Sequence, residues 1–180
     1  MARTTVAQRF LDCQQLAEKQ WRQRLEQRLE QLLERARVAF EQPFERPTLV
    51  LNQRGTCAGS ARLQSQLLRL NPVLLVAEPD VFVEQILPHE LAHLLVHQLY
   101  GRVAPHGAEW QQMMESVFQV PARRTHQLDV SEVEGDKFLY RCGCQQHQLT
   151  IRRHNRVLRG ASYRCRACGE VLQSLATESP

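Results

Sequence analysis

Apolar residues recur at helical spacing near the start of the chain. Ala17, Trp21, Leu25, Leu29, Leu32, Leu33, Ala36 and Phe40 fall three or four positions apart and draw one stripe. Glutamate, arginine and glutamine fill the other faces, and no glycine or proline interrupts before Pro43. The pattern predicts one long helix or two in tandem within residues 1–42, packed on the domain's own core. Pro43 and Pro47 end it. Three short runs then read as strands, at 48–51, 56–63 and 67–70, with turn-like residues at 52–55 and 64–66. They predict a small antiparallel sheet of hairpins, stopped by Asn71 and Pro72. Residues 73–77 are apolar and carry no assignment. Helical spacing resumes at Asp80, a candidate N-cap, through Val81, Phe82, Ile86 and Leu87. Pro88 either kinks that helix or begins another, which runs through Leu99 to Gly101. A further helix is expected from Gly107 to Phe118.

Composition removes several function classes. With 43% hydrophobic and 23% charged residues, the chain can bury a core and is not a disordered segment. Its longest apolar stretch, residues 73–77, is far short of the roughly 20 that span a membrane. The opening MARTTVAQRFLDCQQ lacks the apolar segment of a secretory signal, so a cytoplasmic location is expected. In that reducing compartment, clustered cysteines argue for metal rather than disulfides. Charge is uneven. Residues 141–180 carry seven arginines against Glu170 and Glu178, a net of +5, whereas the whole chain carries +4. The basic excess therefore lies in the segment that also holds four of the six cysteines, and a polyanionic partner is expected there.

The strongest chemical signal is His89-Glu90-Leu91-Ala92-His93. Positions i and i+4 of a helix share a face, so His89 and His93 can hold one Zn²⁺. Glu90, beside the first ligand, can take a proton from a water that zinc acidifies. A catalytic zinc needs a third protein ligand and an open position. His97 extends the stripe, but eight residues of helix put it about 12 Å from His89, too far to share the ion. It reads as a polar helix residue or an outer neighbour of the site. His106 stands in a loop that follows Gly101 and that Pro105 turns back toward the helix. Glu115 and Glu109 are the alternatives.

Cys142-Gly-Cys144 and Cys165-Arg-Ala-Cys168 are two close pairs with the separation of a four-thiolate structural zinc site. His147 has CxxH spacing from Cys144 and is an alternative ligand to Cys142. So short a module barely buries a core, so a metal staple is expected on physical grounds. Between the pairs, residues 149–151 and 157–158 read as two strands. They would display Arg152, Arg153, Arg156 and Arg159 on one hairpin, toward nucleic acid. Cys13, on the long helix, and Cys57, in a strand, read as small buried residues.

The block HELAHLLVHQLYGRVAPHGAEW is preceded by TCAGSARLQSQLLRLNP and followed by YRCGCQQHQLTIRRHNRVLRGASYRCRACG. Over roughly residues 45–172 this arrangement resembles the bacterial SprT family. Related domains occur in Spartan, the DNA-dependent protease that removes proteins crosslinked to DNA. The resemblance implies His89, His93 and His106 as zinc ligands and Glu90 as the catalytic residue. It also implies a zincin-like α+β domain, helices over a short sheet, followed by a zinc ribbon. Spartan carries other nucleic-acid and partner modules in place of the ribbon, so a repair role does not transfer automatically.

These readings predict a helical segment (1–42), a metalloprotease core (43–139) and an arginine-rich zinc ribbon (140–180). The expected activity is peptide-bond hydrolysis in proteins associated with DNA or RNA, with one catalytic and one structural zinc. The alternative is a non-catalytic zinc- and nucleic-acid-binding protein, regulatory or transcription-associated.

Overall fold

A computed structural model describes residues 6–125, 128–131 and 133–175. The outermost parts of the expected first and last segments, residues 1–5 and 176–180, lie outside the described residues. The chain groups into two units, Met1–Val133 and Glu134–Pro180.

In the first unit the apolar stripe forms two helices, α1 (Val6–Gln20) and α2 (Arg22–Phe40). Trp21 joins them without a break in hydrogen bonding: its N–H donates to Ala17 O and its carbonyl accepts from Leu25 N. Leu25, Leu29, Leu32, Leu33 and Ala36 are fully buried. Each such leucine contributes about 1.5–3 kcal/mol. They share one core with Leu91, Leu94 and Leu95, so the helical segment is a layer of this unit.

The sheet departs from the expected run of hairpins. β1 (Thr48–Val50), β2 (Gly59–Arg62) and β3 (Leu67–Leu70) lie in the order β1-β3-β2. β2 and β3 are an antiparallel pair, but β1 runs parallel to β3 on its far side. The connection from residue 51 to 58 is longer than the two to five residues of a hairpin loop, so it does not return β1 onto β2. Buried Asn71 pins that connection. Its side-chain amide donates to Gly55 O (2.7 Å) and Cys57 O (3.3 Å), and its side-chain oxygen accepts from Val73 N (3.1 Å). This last bond caps α3 (Pro72–Ala77), the helix formed by the unassigned apolar run.

Next come α4 (Pro79–Val81), a π-helical turn (Phe82–Ile86) and α5 (Leu87–Tyr100). Asp80 is not the N-cap expected of it. It lies inside the first turn and pairs with Arg24 at 2.7 Å. The π-turn answers the question of Pro88. That residue has no N–H to give, and the widened turn bonds Leu87 N–H to Phe82 O just before it. Gly101, at φ 69°, ends α5. The last helical stretch is α6 (Ala108–Gln112) followed by a second π-turn (Met113–Val117).

The second unit begins at Glu134, ahead of the expected boundary at 140, because β4 (Lys137–Arg141) belongs to it. β4 pairs antiparallel with β5 (Gln146–Thr150) and β6 (Gln173–Ser174). Tyr140, Leu149, Cys165 and Leu172 form its small core. The expected arginine hairpin is instead a helix, α7 (Ile151–Leu158). The helix is held by His154, whose ring stacks on Phe138 at 3.8 Å and whose Nδ1 lies 2.9 Å from Tyr140 Oη. The fold is α+β. Among the described residues, no helix is long and apolar enough to cross a membrane.

Candidate metal centres

α5 carries His89 and His93 one turn apart on the face that Trp110 covers. The third histidine comes from the loop after Gly101. His106 has φ 57°, a left-handed conformation uncommon for a side-chain-bearing residue, and it brings the ring back over α5. His106 Nε2 lies 3.0 Å from His89 Nε2 and 3.2 Å from His93 Nε2. Zinc–nitrogen bonds of about 2.0–2.1 Å at tetrahedral angles separate ligand nitrogens by about 3.3 Å, so this donor set fits one zinc ion.

Neighbouring groups prepare the rings for that task. His89 Nδ1 lies 3.2 Å from Arg123 O. A carbonyl only accepts, so Nδ1 carries the proton and Nε2 keeps its lone pair. Burial, together with the nearby His106, pulls His93 down to about 4, so it is neutral at pH 7. His106 is also lowered, by burial and then by Arg124. Trp110, almost fully buried, packs its ring 4.7–5.8 Å from all three imidazoles. Its Nε1–H donates to His89 O at 3.3 Å. The sequence reading gave Trp110 no role, although it stands four residues after His106, one turn into the helix that follows.

Glu90 lies between α5 and the sheet, close against β2. Burial pushes its carboxyl up to about 7, against a donated hydrogen bond from the Ala61 backbone. β2 is an edge strand with no further strand paired beyond it; beside this carboxyl Ala61 N–H is held by Glu90 and Gly59 O accepts from Cys57 Sγ at 2.8 Å. Gly59 makes the approach possible. A Cβ there would meet Glu90 Cγ at 2.9 Å, Ile86 Cγ2 at 3.1 Å and Leu70 Cδ2 at 3.2 Å. Sequence reasoning missed Gly59, yet a glycine inside a strand-like run is a known sign of close approach.

The remaining candidates lie elsewhere. His97 is half-buried one turn beyond His93 and lines a separate cavity. Glu115 is exposed on the second π-turn, and neither it nor Glu109 joins the histidine cluster. Cys57 is not the buried strand residue expected. It is exposed in the turn before β2, with Sγ 2.8 Å from Gly59 O. Cys13 is half-buried. A groove of about 1070 Å³ runs between α2 and the second π-turn and contains none of the histidines.

In the second unit Cys142, Cys144, Cys165 and Cys168 bring their sulfurs within 4.8 Å of one another. Cys142 and Cys144 lie 3.4 Å apart, and Cys144 and Cys165 3.6 Å. Zinc–sulfur bonds of about 2.3 Å give comparable separations, near 3.8 Å. Backbone N–H groups of Cys168 and Ala167 pull Cys165 down to about 5, toward the thiolate a metal needs. His147 stands beside the cluster, its Nε2 3.3 Å from Cys142 Sγ, and the four-cysteine group does not include it. Arg152, Arg153 and Arg156 are exposed on α7, and Arg159 follows at its C-terminal end. Arg153 sits over the Tyr163 ring at 5.8 Å.

Two family models match the chain in this order: the SprT-like family over residues 29–126, and the SprT-like zinc ribbon domain over residues 136–175. The chain belongs to the SprT-like family. Among its relatives is Protein SprT of Klebsiella pneumoniae (strain 342), 57% identical over 138 residues, covering 76% of this chain and 83% of the relative. Protein SprT of Serratia proteamaculans (strain 568) is 56% identical over 144 residues, 79% of this chain and 85% of the relative. Protein SprT of Yersinia pseudotuberculosis serotype O:1b (strain IP 31758) is 60% identical over 131 residues, 72% and 77%. No solved structure matches this SprT-like chain. Its cysteine cluster falls within the zinc-ribbon match, and all three histidines and Glu90 fall within the SprT-like match.

Proposed function

We propose that this protein is a zinc-dependent endopeptidase whose ribbon holds it on nucleic acid. One observation carries the reading: three imidazole nitrogens converge, and the residue after the first of them is a largely buried carboxyl set against the edge strand β2. His89, His93 and His106 would hold the catalytic ion, and the four cysteines a structural one. Bound zinc supplies a Lewis acid that acidifies water and polarises a carbonyl. Glu90, with a pKa near neutrality, takes the water's proton and passes it to the leaving amine. The free edge of β2 aligns an extended polypeptide by strand addition. Arg152, Arg153, Arg156 and Arg159 contact phosphates of DNA or RNA. Clustered thiol ligands suit the reducing cytoplasm.

A non-catalytic zinc- and nucleic-acid-binding role would leave Glu90 as an uncompensated cost, because such a site gains nothing from a buried carboxyl. The test is cleavage of a DNA-bound basic protein and of an unfolded protein by the zinc-loaded full chain. Glu90→Gln is expected to keep both zinc ions and lose at least about 10² in rate. Equal rates in the two proteins would end the peptidase reading.

A further inference from the structure

One side of the first unit carries charge that the unit itself does not neutralise. Elsewhere several of its arginines reach carboxylates, Arg24 with Asp80, Arg28 with Glu84 and Arg37 with Glu30, while Arg35 and Arg69 donate to oxygens of Phe118 and Asn52 and Arg54 lies over the Phe10 ring. The side chains of Arg62, Arg102, Arg123 and Arg124 have no hydrogen-bond, ion-pair or ring partner among the described residues. Two of them touch the histidine site and two lie farther along the elements that build it. Arg62 ends β2, whose first residue lies against Glu90. Arg102 opens the loop that leads to His106. Arg123 lends its carbonyl to His89, and the charge of Arg124 is felt at His106.

Two of these cations share a cavity. Arg62 and Arg102 line about 550 Å³ together with Leu63, Gln64, Ser65 and His97, and no carboxylate lines it. Its place relative to the reaction follows from the two elements that build it. His97 lies one helical turn, about 6 Å, past His93. Arg62 lies three residues past Gly59, about 10 Å along a strand at 3.3 Å per residue.

We infer that this cavity is a specificity pocket for an acidic side chain of the bound polypeptide, about three residues from the bond to be cut. The inference rests on the peptidase reading above. A chain laid on the open edge of β2 runs directly from Glu90 to Arg62, and every side chain on one face of it recurs at two-residue steps. The residue arriving at the pocket meets two guanidinium groups, which pair with a carboxylate in planar, forked geometry. Gln64, Ser65 and His97 offer further polar contacts. A nucleic-acid strand is the poorer occupant. It repeats its charge along a track, whereas these two cations converge on one cavity at the end of a strand edge. That edge offers backbone groups complementary to a polypeptide.

The experiment measures binding, so it does not depend on hydrolysis. The probe is a fluorescein-labelled, extended peptide of alanine, serine and leucine, with one glutamate scanned through its positions, against its glutamine twin. The protein is the zinc-loaded full chain carrying Glu90→Gln. At one position of the scan, glutamate is expected to bind about tenfold more tightly than glutamine, as two partly exposed ion pairs allow. Arg62→Gln with Arg102→Gln is expected to abolish that difference. Arg62→Glu with Arg102→Glu is expected to transfer the preference to a lysine peptide. Arg62 and Arg102 are both exposed, so the fold tolerates their replacement. Equal binding of the twins at every position overturns the inference, as does a glutamate preference that survives in the double variant. An affinity for single-stranded DNA that falls in the glutamine double variant as much as peptide affinity does also overturns it, because the cavity would then be reading phosphate. If wild type cuts no substrate while the preference and its loss are seen, the peptidase reading fails and the acidic pocket stands.

Discussion

Gly59→Ala isolates the fit between β2 and Glu90. The new methyl carbon would sit 2.9 Å from Glu90 Cγ, 3.1 Å from Ile86 Cγ2 and 3.2 Å from Leu70 Cδ2. Carbon atoms pack best at about 3.5–4.0 Å, so each of the three contacts must open by roughly 0.3–1 Å. Ile86 and Leu70 are buried in the core and have little room. Glu90 must therefore move, and its Cγ is too near the α5 backbone to do so without a change of rotamer. Gly59 has no positive φ, so alanine adds no backbone strain there. It even lowers the entropy of the unfolded chain, by about 0.4–1 kcal/mol. Against that, overpacking costs about 1–3 kcal/mol. A net destabilisation of about 1 kcal/mol is expected, read as a fall of a few degrees in Tm. The effect on rate is larger, because misplacing a reacting group by about 1 Å can cost 10²-fold. The assay pairs peptide hydrolysis with zinc analysis: kcat falls about 10- to 100-fold while zinc content holds. Wild-type kcat in Gly59→Ala would show that the contact does not position the carboxyl. Lost zinc would show that the change acts through the histidines instead.

Four further outcomes are expected. His106→Ala lowers zinc occupancy of the histidine site while Glu115→Ala does not, measured by metal analysis after dialysis; the reverse pattern would move the third ligand. A mild chelator strips one zinc and leaves the other, and Cys165→Ser removes the retained one; a single zinc unaffected by Cys165→Ser would refute the ribbon site. Burial raises the Glu90 pKa from 4.5 to about 7, so the folded zinc-free chain holds that proton more tightly than the unfolded chain, and stability falls as pH climbs through this interval. Glu90→Gln is thus expected to stabilise the zinc-free protein by about 3 kcal/mol at pH 8 and by nothing at pH 4, and equal urea midpoints at pH 8 would contradict it. Replacing Arg152, Arg153 and Arg156 by glutamine flattens the log K against log salt slope for single-stranded DNA by about 2, and an unchanged slope would remove α7 from the interface.

Much of the histidine site was legible because its geometry is local. A helix alone fixes His89, Glu90 and His93, whatever the rest of the chain does. His106 needed a loop's return path, which no periodicity encodes; Gly101 and Pro105 hinted at it while leaving Glu109 and Glu115 as alternatives, and the resemblance to a family pointed to the same residue. Trp110 and Gly59 carried no local signature strong enough to separate a packing role from a positioning one. α7 was misread because Ile151, Val157 and Leu158 suit strands as well as helices. The spacing of Ile151, His154 and Val157 was helical throughout, and the deciding contacts, His154 on Phe138 and Tyr140, join residues from another strand. Cys57 was misplaced with its strand: the run 56–63 read as one extended segment, whereas Asn71 ties its first residues into a turn.

The order of the first sheet matters more to the chemistry than its strand content. Consecutive hairpins would place β2 between β1 and β3 and occupy both of its edges. The carboxyl of Glu90 would then face a closed sheet, and an extended substrate would have no backbone to pair with. The parallel placement of β1 beyond β3 leaves one edge of β2 unpaired by any strand at the position where Gly59 lets Glu90 approach. That arrangement depends on the 51–58 connection staying clear of the β2 edge, and Asn71 is the buried group that holds it. Asn71→Ala strands the carbonyls of Gly55 and Cys57 and uncaps α3, for which about 2–3 kcal/mol is expected. Asn71→Asp separates the two duties, because it keeps the acceptor for Val73 N and loses the donor to the loop. If the loop is what keeps the edge open, Asn71→Asp retains the cap yet loses peptide affinity, with zinc content unchanged. Full affinity in a folded Asn71→Asp protein would mean that the edge stays open without this anchor.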